Sequence, residues 1–270
     1  MCRAPVAEAG ESRTAEALAR YYDLDFDDDQ ADVEMYLAFA AASDGPILEL
    51  MAGTGRVAVP LALAGHHVVA VDRDASSLRR ADARWQRERA DAEPGGALET
   101  VHADVTGLQL DTKFGLAILA LNSLLLLDGR AAQRELLATL RRHLARGGRA
   151  VIDVWLPAPE DLAVYDDRIV LDWLKSDNET LARVAKQTSA RYDSATRTAR
   201  ITSLFDAWRE GESPTRTSRE DTITFLTVEE LVRSAEDAGL VVETIAGDYG
   251  MGHLAGDSDR VVMVCRAGAD

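Results

Sequence analysis

Five short strand-like runs, most of them apolar with little alternation, constrain this chain most. They fall at residues 47–51, 67–72, 98–103, 114–121 and 150–155. A strand with one wet face alternates apolar and polar side chains, whereas a strand buried on both faces does not. Helical patterns separate several of the runs. Residues 56–64 stop at Gly65, and residues 75–89 are followed by a break at Pro94, Gly95 and Gly96. Residues 131–145 carry Leu136, Leu137, Leu140 and Leu144 on one face, with Gly147 and Gly148 expected to end that helix. Alternating strands and helices with doubly buried strands predict an α/β fold, a parallel sheet covered on both faces.

From residue 168 to 226 the period drops to two. Ile169, Leu171 and Trp173 would share one face of a strand, and residues 181–192, 198–208 and 217–226 also read as extended. Turn residues separate them at Asp193-Ser194 and from Gly211 to Pro214. Three or four antiparallel strands are expected here, inserted after the fifth core strand. Thr227 and Glu230 then form a capping box that starts a helix ending at Gly239. Residues 240–246 and 260–265 close the chain as two more strands. At the other end, residues 11–22 and 29–42 read as helices. The acidic stretch 23–29 between them is expected to be solvated and to cap the second helix.

The net charge of -16 sets aside a protein whose main task is gripping nucleic-acid phosphates. The two cysteines, Cys2 and Cys265, lack metal-ligand spacing and read as free thiols, so no metal is expected. Residues 1–10 contain no apolar core of signal-peptide length, and the apolar run 116–127 is interrupted by Asn122 and Ser123. A cytoplasmic protein that engages no membrane is the expectation.

The chemistry gathers around Glu49-Leu50-Met51-Ala52-Gly53-Thr54-Gly55. Gly53 and Gly55 lie between a strand and a helix, where bare backbone lets a ligand approach and a helix start offers unpaired N–H groups. Asp72 ends the second strand and Asp104 follows the third. In a parallel sheet the carboxyl ends of neighbouring strands border one crevice, so Gly53, Asp72 and Asp104 should converge. Gly53 to Ala58 also satisfies the dinucleotide fingerprint G-x-G-x-x-G/A, which keeps an NAD(P)-dependent oxidoreductase in play. Against it stand Glu49, which would sit near an anionic pyrophosphate, and the absence of a Tyr-x-x-x-Lys pair.

Residues 47–56, 68–74, 102–105, 120–123 and 144–155, in that order, resemble the class I S-adenosylmethionine (SAM)-dependent methyltransferases. The layout is similar to the small-molecule N- and O-methyltransferases of natural-product and amino-sugar pathways. The resemblance implies a Rossmann-like, doubly wound sheet of seven strands, the last antiparallel, with an inserted antiparallel β lid. Residues 1–45 would be N-terminal helices covering the cofactor site. Residues 46–156 and 227–270 would form the SAM-binding domain, and 157–226 a lid that shapes a substrate pocket or builds a homodimer interface. Trp155, Trp173, Tyr192, Phe205, Trp208 and Phe225 are available there as apolar walls.

The implied roles follow position by position. Glu49 would hold water or the methionine amino group, and Ala52, Gly53 and Thr54 would offer backbone to the methionine part, with Gly55 completing the turn. Asp72 would bind the ribose and Arg73 flank the adenine. Asp104 would accept from adenine N6 while Val105 donates from its backbone, and Leu121 and Asn122 would lie near the methionine portion. Tyr22 resembles an N-terminal tyrosine that closes over the cofactor in some relatives; a plain aromatic on a helix's apolar face is the alternative. Met51 stands where the family has glycine, which also allows a protein that binds SAM without transferring methyl. The implied reaction is methyl transfer to an amine or hydroxyl of a small molecule, leaving S-adenosylhomocysteine. A hydroxyl would need a base, for which His253, in a flexible-looking loop, is the candidate. His102 reads as structural, and His66, His67 and His143 as surface residues.

Overall fold

The computed structural model describes residues 6–26, 30–92 and 95–268. Cys2, Asp27, Asp28, Asp29 and Pro94 lie outside them. The chain forms two units: Met1–Asp28 with Pro157–Phe225, and Asp29–Leu156 with Leu226–Asp270. The helix α1 (Val6–Phe26) falls in the first and α2 (Ala31–Ala41) in the second, so the two N-terminal helices do not share a unit.

The larger unit continues with β1 (Ile47–Leu50), α3 (Ala58–Leu63), β2 (His67–Asp72), α4 (Ala75–Ala90), β3 (Ala97–His102), β4 (Phe114–Leu119), α5 (Gly129–His143) and β5 (Leu144–Trp155). The smaller unit then contributes α6 (Pro159–Tyr165), β6 (Val170–Asp177), β7 (Ala182–Asp193), β8 (Thr198–Trp208) and β9 (Thr215–Thr224). The chain returns to the larger unit as α7 (Val228–Asp237), β10 (Leu240–Ala246) and β11 (Arg260–Ala267).

The larger sheet has seven strands in the order β10-β11-β5-β4-β1-β2-β3. β1 to β5 run parallel, and β11 is antiparallel to both β5 and β10. This is the doubly wound sheet implied by the sequence. Leu48, Leu50, Val68, Ala70, Leu116, Ile118 and Val151 are fully buried, as strands covered on both faces require. β2 and β3 lie to one side of β1, β4 and β5 to the other. That reversal opens a crevice beyond the carboxyl ends of β1 and β4.

Local signals set several boundaries. Asp74 caps α4, accepting from Ser76 N at 3.0 Å and Ser77 N at 3.3 Å. The Thr227–Glu230 box forms as expected, with bonds of 3.2 and 3.0 Å. α3 starts at Ala58, so Pro60 falls in its first turn, where its missing N–H costs no helical bond.

Other expectations fail for identifiable reasons. Gly147 and Gly148 do not end α5; they form a bulge inside β5, where the register to β4 shifts. Gly147 has φ +80°, and a Cβ on Gly148 would sit 2.7 Å from Phe114 O. His143 is not a surface residue. It is buried, its Nε2 accepts from Leu110 N at 2.9 Å, and its Nδ1 lies 2.8 Å from Thr139 O. Burial holds its pKa below the ordinary value.

In the smaller unit β6 to β9 form an antiparallel sheet in sequence order. Ile169, Leu171 and Trp173 do not share a face, because a bulge between Leu171 and Trp173 breaks the alternation. Ile169 and Leu171 are exposed, whereas Trp173 packs towards Phe205. α1 lies on this sheet: Tyr21 stacks on Phe205 at 4.9 Å, and Trp173 Nε1 donates to Asp25 Oδ1 at 2.7 Å. Lys175 Nζ caps the helix end by donating to Leu24 O at 2.7 Å. Two of the predicted apolar walls, Trp173 and Phe205, are thus packed with α1.

Among the described residues no helix is long and apolar enough to cross a membrane, and no cluster of three metal-ligating side chains occurs.

Candidate active site

After β1 the backbone reverses over Met51 to Gly55, with φ of 59° at Met51, 56° at Gly53 and 76° at Gly55. Glycine takes this left-handed conformation freely and methionine does not, which is the physical reason glycine is expected at position 51. Gly55 has a further constraint: a Cβ there would lie 2.9 Å from Ala81 Cβ, so α4 approaches bare backbone. Gly53 N donates to Asp72 Oδ2 at 2.8 Å, and Asp74 N donates to Asp72 Oδ1 at 2.8 Å. The Asp72 carboxylate therefore ties the tip of β2 to the glycine turn.

His102 is the register partner of Asp72, and its Nε2 lies 2.9 Å from Arg73 O. Two residues on, exposed Asp104 accepts on Oδ1 from Thr106 Oγ1 at 2.6 Å and Thr106 N at 2.8 Å. These bonds hold its carboxyl below the usual range. Val105 beside it is buried. Gly53, Asp72 and Asp104 thus follow one another along the carboxyl edge of the sheet.

At the tip of β4, Leu121 and Asn122 are both left-handed, with φ of 46° and 64°. They are laced to the end of β5: Leu121 N donates to Asp153 Oδ2 at 3.3 Å, Asn122 N to Asp153 O at 3.2 Å, and Trp155 N to Asn122 Oδ1 at 2.5 Å.

A buried polar cluster lies under the turn. Arg56, directly after Gly55, makes a two-pronged ion pair with Asp32 of α2, with Nη1 to Oδ1 at 2.7 Å. Glu49 is buried; Oε2 has no hydrogen-bond partner among the described residues, and the Ala58 N–H bonds its carboxyl. Burial pushes its pKa up to about 8, with Asp32 and Asp72 adding to the rise and Arg56 opposing it. Thr54 Oγ1 and Tyr36 Oη are likewise buried without a partner among the described residues. Asp153 is fully buried and accepts from Arg260 Nη1 at 2.6 Å and Tyr249 Oη at 3.0 Å. Burial raises its pKa, against the pull of Arg260 and Tyr249.

Sequence reading missed Asp32, Tyr36, Arg56, Asp153, Tyr249 and Arg260. A signal existed for Asp153, an acid inside the apolar run Val151-Ile152-Asp153-Val154, just as Glu49 sits inside its own. Tyr22 belongs to α1 in the smaller unit, its ring tilted against Phe26 at 4.8 Å. Arg73 and His253 are exposed. The His253 loop is pinned by Gly247 N to Gly252 O at 2.9 Å and Gly252 N to Asp248 Oδ1 at 2.8 Å, so it is not the loose segment expected.

Residues 47–148 match a family described as a methyltransferase domain. Over 222 residues the chain is 30% identical to the cypemycin N-terminal methyltransferase of a Streptomyces species, covering 82% of each protein. The chain belongs to the SAM-dependent methyltransferases. Solved structures share its fold. An S-adenosylmethionine-dependent methyltransferase from Clostridium acetobutylicum has a TM-score of 0.76 at 17% identity, over 94% of this chain and 98% of that one. The sugar N-methyltransferase KedS8 from Streptoalloteichus has a TM-score of 0.69 at 18% identity, over 91% and 92%.

The residues of this methyltransferase fit SAM physically. SAM carries a sulfonium, an ammonium and a carboxylate, for a net positive charge. Around the turn Asp32, Glu49 and Asp72 outnumber Arg56, and Glu49 Oε2 and Thr54 Oγ1 lack partners among the described residues. A cationic ligand offsets the penalty that keeps Glu49 protonated. An anionic pyrophosphate would deepen it, and the NAD(P) alternative is set aside.

Proposed function

We propose that this methyltransferase moves the methyl group of SAM to an amine of a small natural product or short peptide. The observation that carries the reading is the buried acidic cluster under the glycine turn together with a crevice where no base is positioned among the described residues. When bound, SAM supplies an already activated methyl on its sulfonium. Glu49 and Thr54 would hold the amino-acid end at the turn, with Met51, Ala52, Gly53 and Gly55 presenting backbone. Asp72 would accept from the ribose while keeping its bond to Gly53, and Asp104, Val105 and Arg73 would border the adenine. Leu121 and Asn122 would form the opposite wall. The chain's task is then alignment and exclusion of water, and alignment alone can lower such a barrier by up to about 7–11 kcal/mol.

A neutral amine needs little base assistance, whereas a hydroxyl needs a base near its proton. His253 is exposed, and the carboxyl of Asp153 is already bonded to Arg260 and Tyr249. The names of the cypemycin N-terminal methyltransferase and the sugar N-methyltransferase KedS8 support an amine acceptor. The test incubates the chain with methyl-labelled SAM and three acceptors: a short peptide with a free α-amine, an amino sugar, and the corresponding sugar with only hydroxyls. Label on either amine is expected. Label on the hydroxyl sugar alone would overturn the amine assignment.

A further inference from the structure

Leu121 and Asn122 carry left-handed backbone at two successive positions of the crevice. Two consecutive non-glycine residues are left-handed, a state that persists only when the surroundings over-determine it. The overdetermining groups come from three distant stretches. Asp153 of β5 takes the Leu121 N–H on Oδ2 and the Asn122 N–H on its main-chain oxygen. Tyr249, from the loop between β10 and β11, donates to the same Oδ2, and Arg260 at the start of β11 donates to Oδ1 at 2.6 Å. The Arg260 guanidinium also stacks over the Tyr249 ring at 4.2 Å, so each holds the other in place. Asp153 is completely buried and Arg260 is its counter-ion, so the carboxylate is fixed from both oxygens.

We propose that Asp153 is a positioning residue, held by Tyr249 and Arg260, that clamps the β4 tip so that Leu121 and Asn122 form the wall against the amino-acid end of SAM. This rests on the cofactor site proposed above. No atom of Asp153 need touch the cofactor; it acts through the Leu121–Asn122 backbone. Replacing one carboxylate oxygen with an NH2 group removes an acceptor from this arrangement and leaves Arg260 only the exposed Asp259, 3.9 Å away, as counter-ion. The wall then relaxes, and the loss falls on ligands that reach it.

The experiment measures binding of S-adenosylhomocysteine and of 5′-methylthioadenosine, which lacks the amino-acid end, by calorimetry to wild type, D153N and Y249F. In D153N the Kd for S-adenosylhomocysteine should rise about tenfold, the scale of one charged hydrogen bond. The Kd for methylthioadenosine should change less than about twofold. Y249F keeps the charge and removes one donor, so it should shift the first Kd about threefold in the same direction. Equal weakening of both ligands would mark a general loss of structure and overturn the clamp. So would S-adenosylhomocysteine affinity unchanged in both variants. Should D153N fail to fold, Y249F decides alone. Wild type that bound neither ligand would instead overturn the underlying site reading, and the clamp with it.

Discussion

Glu49 should make SAM binding release a proton. In the free protein its carboxyl is buried, one oxygen has no partner among the described residues, and its pKa is raised to about 8. At pH 7 the group is therefore about 90% protonated. Holding the ammonium of SAM requires the ionised form, so binding must expel that proton. The amino group of SAM, titrating near an α-amine at about 7.7–8.0, takes back roughly 0.1 of a proton on binding as the ammonium, leaving a net release of roughly 0.8. The sign sets the pH profile. Affinity should improve as pH rises, by about eightfold from pH 6 to 7 and about twofold more by pH 7.5.

Calorimetry at pH 7 in buffers of different ionisation enthalpy counts the released proton directly. Three controls isolate the residue. Glu49→Gln should bind SAM more weakly, with no gain in affinity across pH 6–7.5 and no proton release. Methylthioadenosine, without an ammonium, should release nothing from wild type. Stability of the free protein provides the third. An acid whose folded pKa is raised lends most stability below its unfolded value of 4.5, and that contribution is lost as pH climbs to about 8; Glu49→Gln should flatten this window. Release of less than about 0.2 proton by wild type, or equal release with methylthioadenosine, would refute the assignment of Glu49 to the ammonium.

Three further outcomes are expected. Asp72→Ala removes the acceptor of both Gly53 N and Asp74 N and should weaken SAM binding by about 1.5–3 kcal/mol; an unchanged Kd removes Asp72 from the site. Gly55→Ala forces a Cβ to 2.9 Å from Ala81 Cβ at φ +76° and should cost about 2–4 kcal/mol in urea unfolding, whereas a loss below about 1 kcal/mol would mean α4 can retreat. His253→Ala should leave methylation of an amine within about twofold of wild type, and loss of turnover with SAM binding intact would make His253 a base after all.

What the sequence reveals here is local. The doubly buried strands, the Asp74 cap and the Thr227–Glu230 box are each written within a few neighbouring residues, as is the glycine turn. The cluster under that turn is not. Arg56 and Asp32 are 24 residues apart, and Asp153 meets Tyr249 and Arg260 across 96 and 107. No periodicity encodes such partners; the sheet order does, by setting β11 beside β5 with Val262 opposite Asp153. Glycine pairs are ambiguous for the same reason. Gly147 and Gly148 read as a helix stop, yet they serve a bulge whose need becomes visible only once Phe114 lies alongside. In β6, regular alternation predicts one shared face, and a single extra residue overrides it.

Met51 separates two explanations of a motif glycine, room for the ligand and freedom of the backbone. With φ at 59°, the backbone explanation assigns methionine a left-handed cost of about 1–2 kcal/mol. Met51→Gly would relieve that cost, add about 0.5–1 kcal/mol of unfolded-state entropy, and lose the packing of a half-buried side chain. These effects nearly cancel, so Met51→Gly should unfold within about 1 kcal/mol of wild type and bind SAM within about threefold. Met51→Ala keeps the strain and loses the packing, and should be the less stable of the two. If Met51→Gly instead binds SAM ten times more tightly, the side chain obstructs the site and the steric explanation is right. If it unfolds more than about 2 kcal/mol more easily, methionine packing outweighs the backbone cost, and the departure from glycine stabilises this chain.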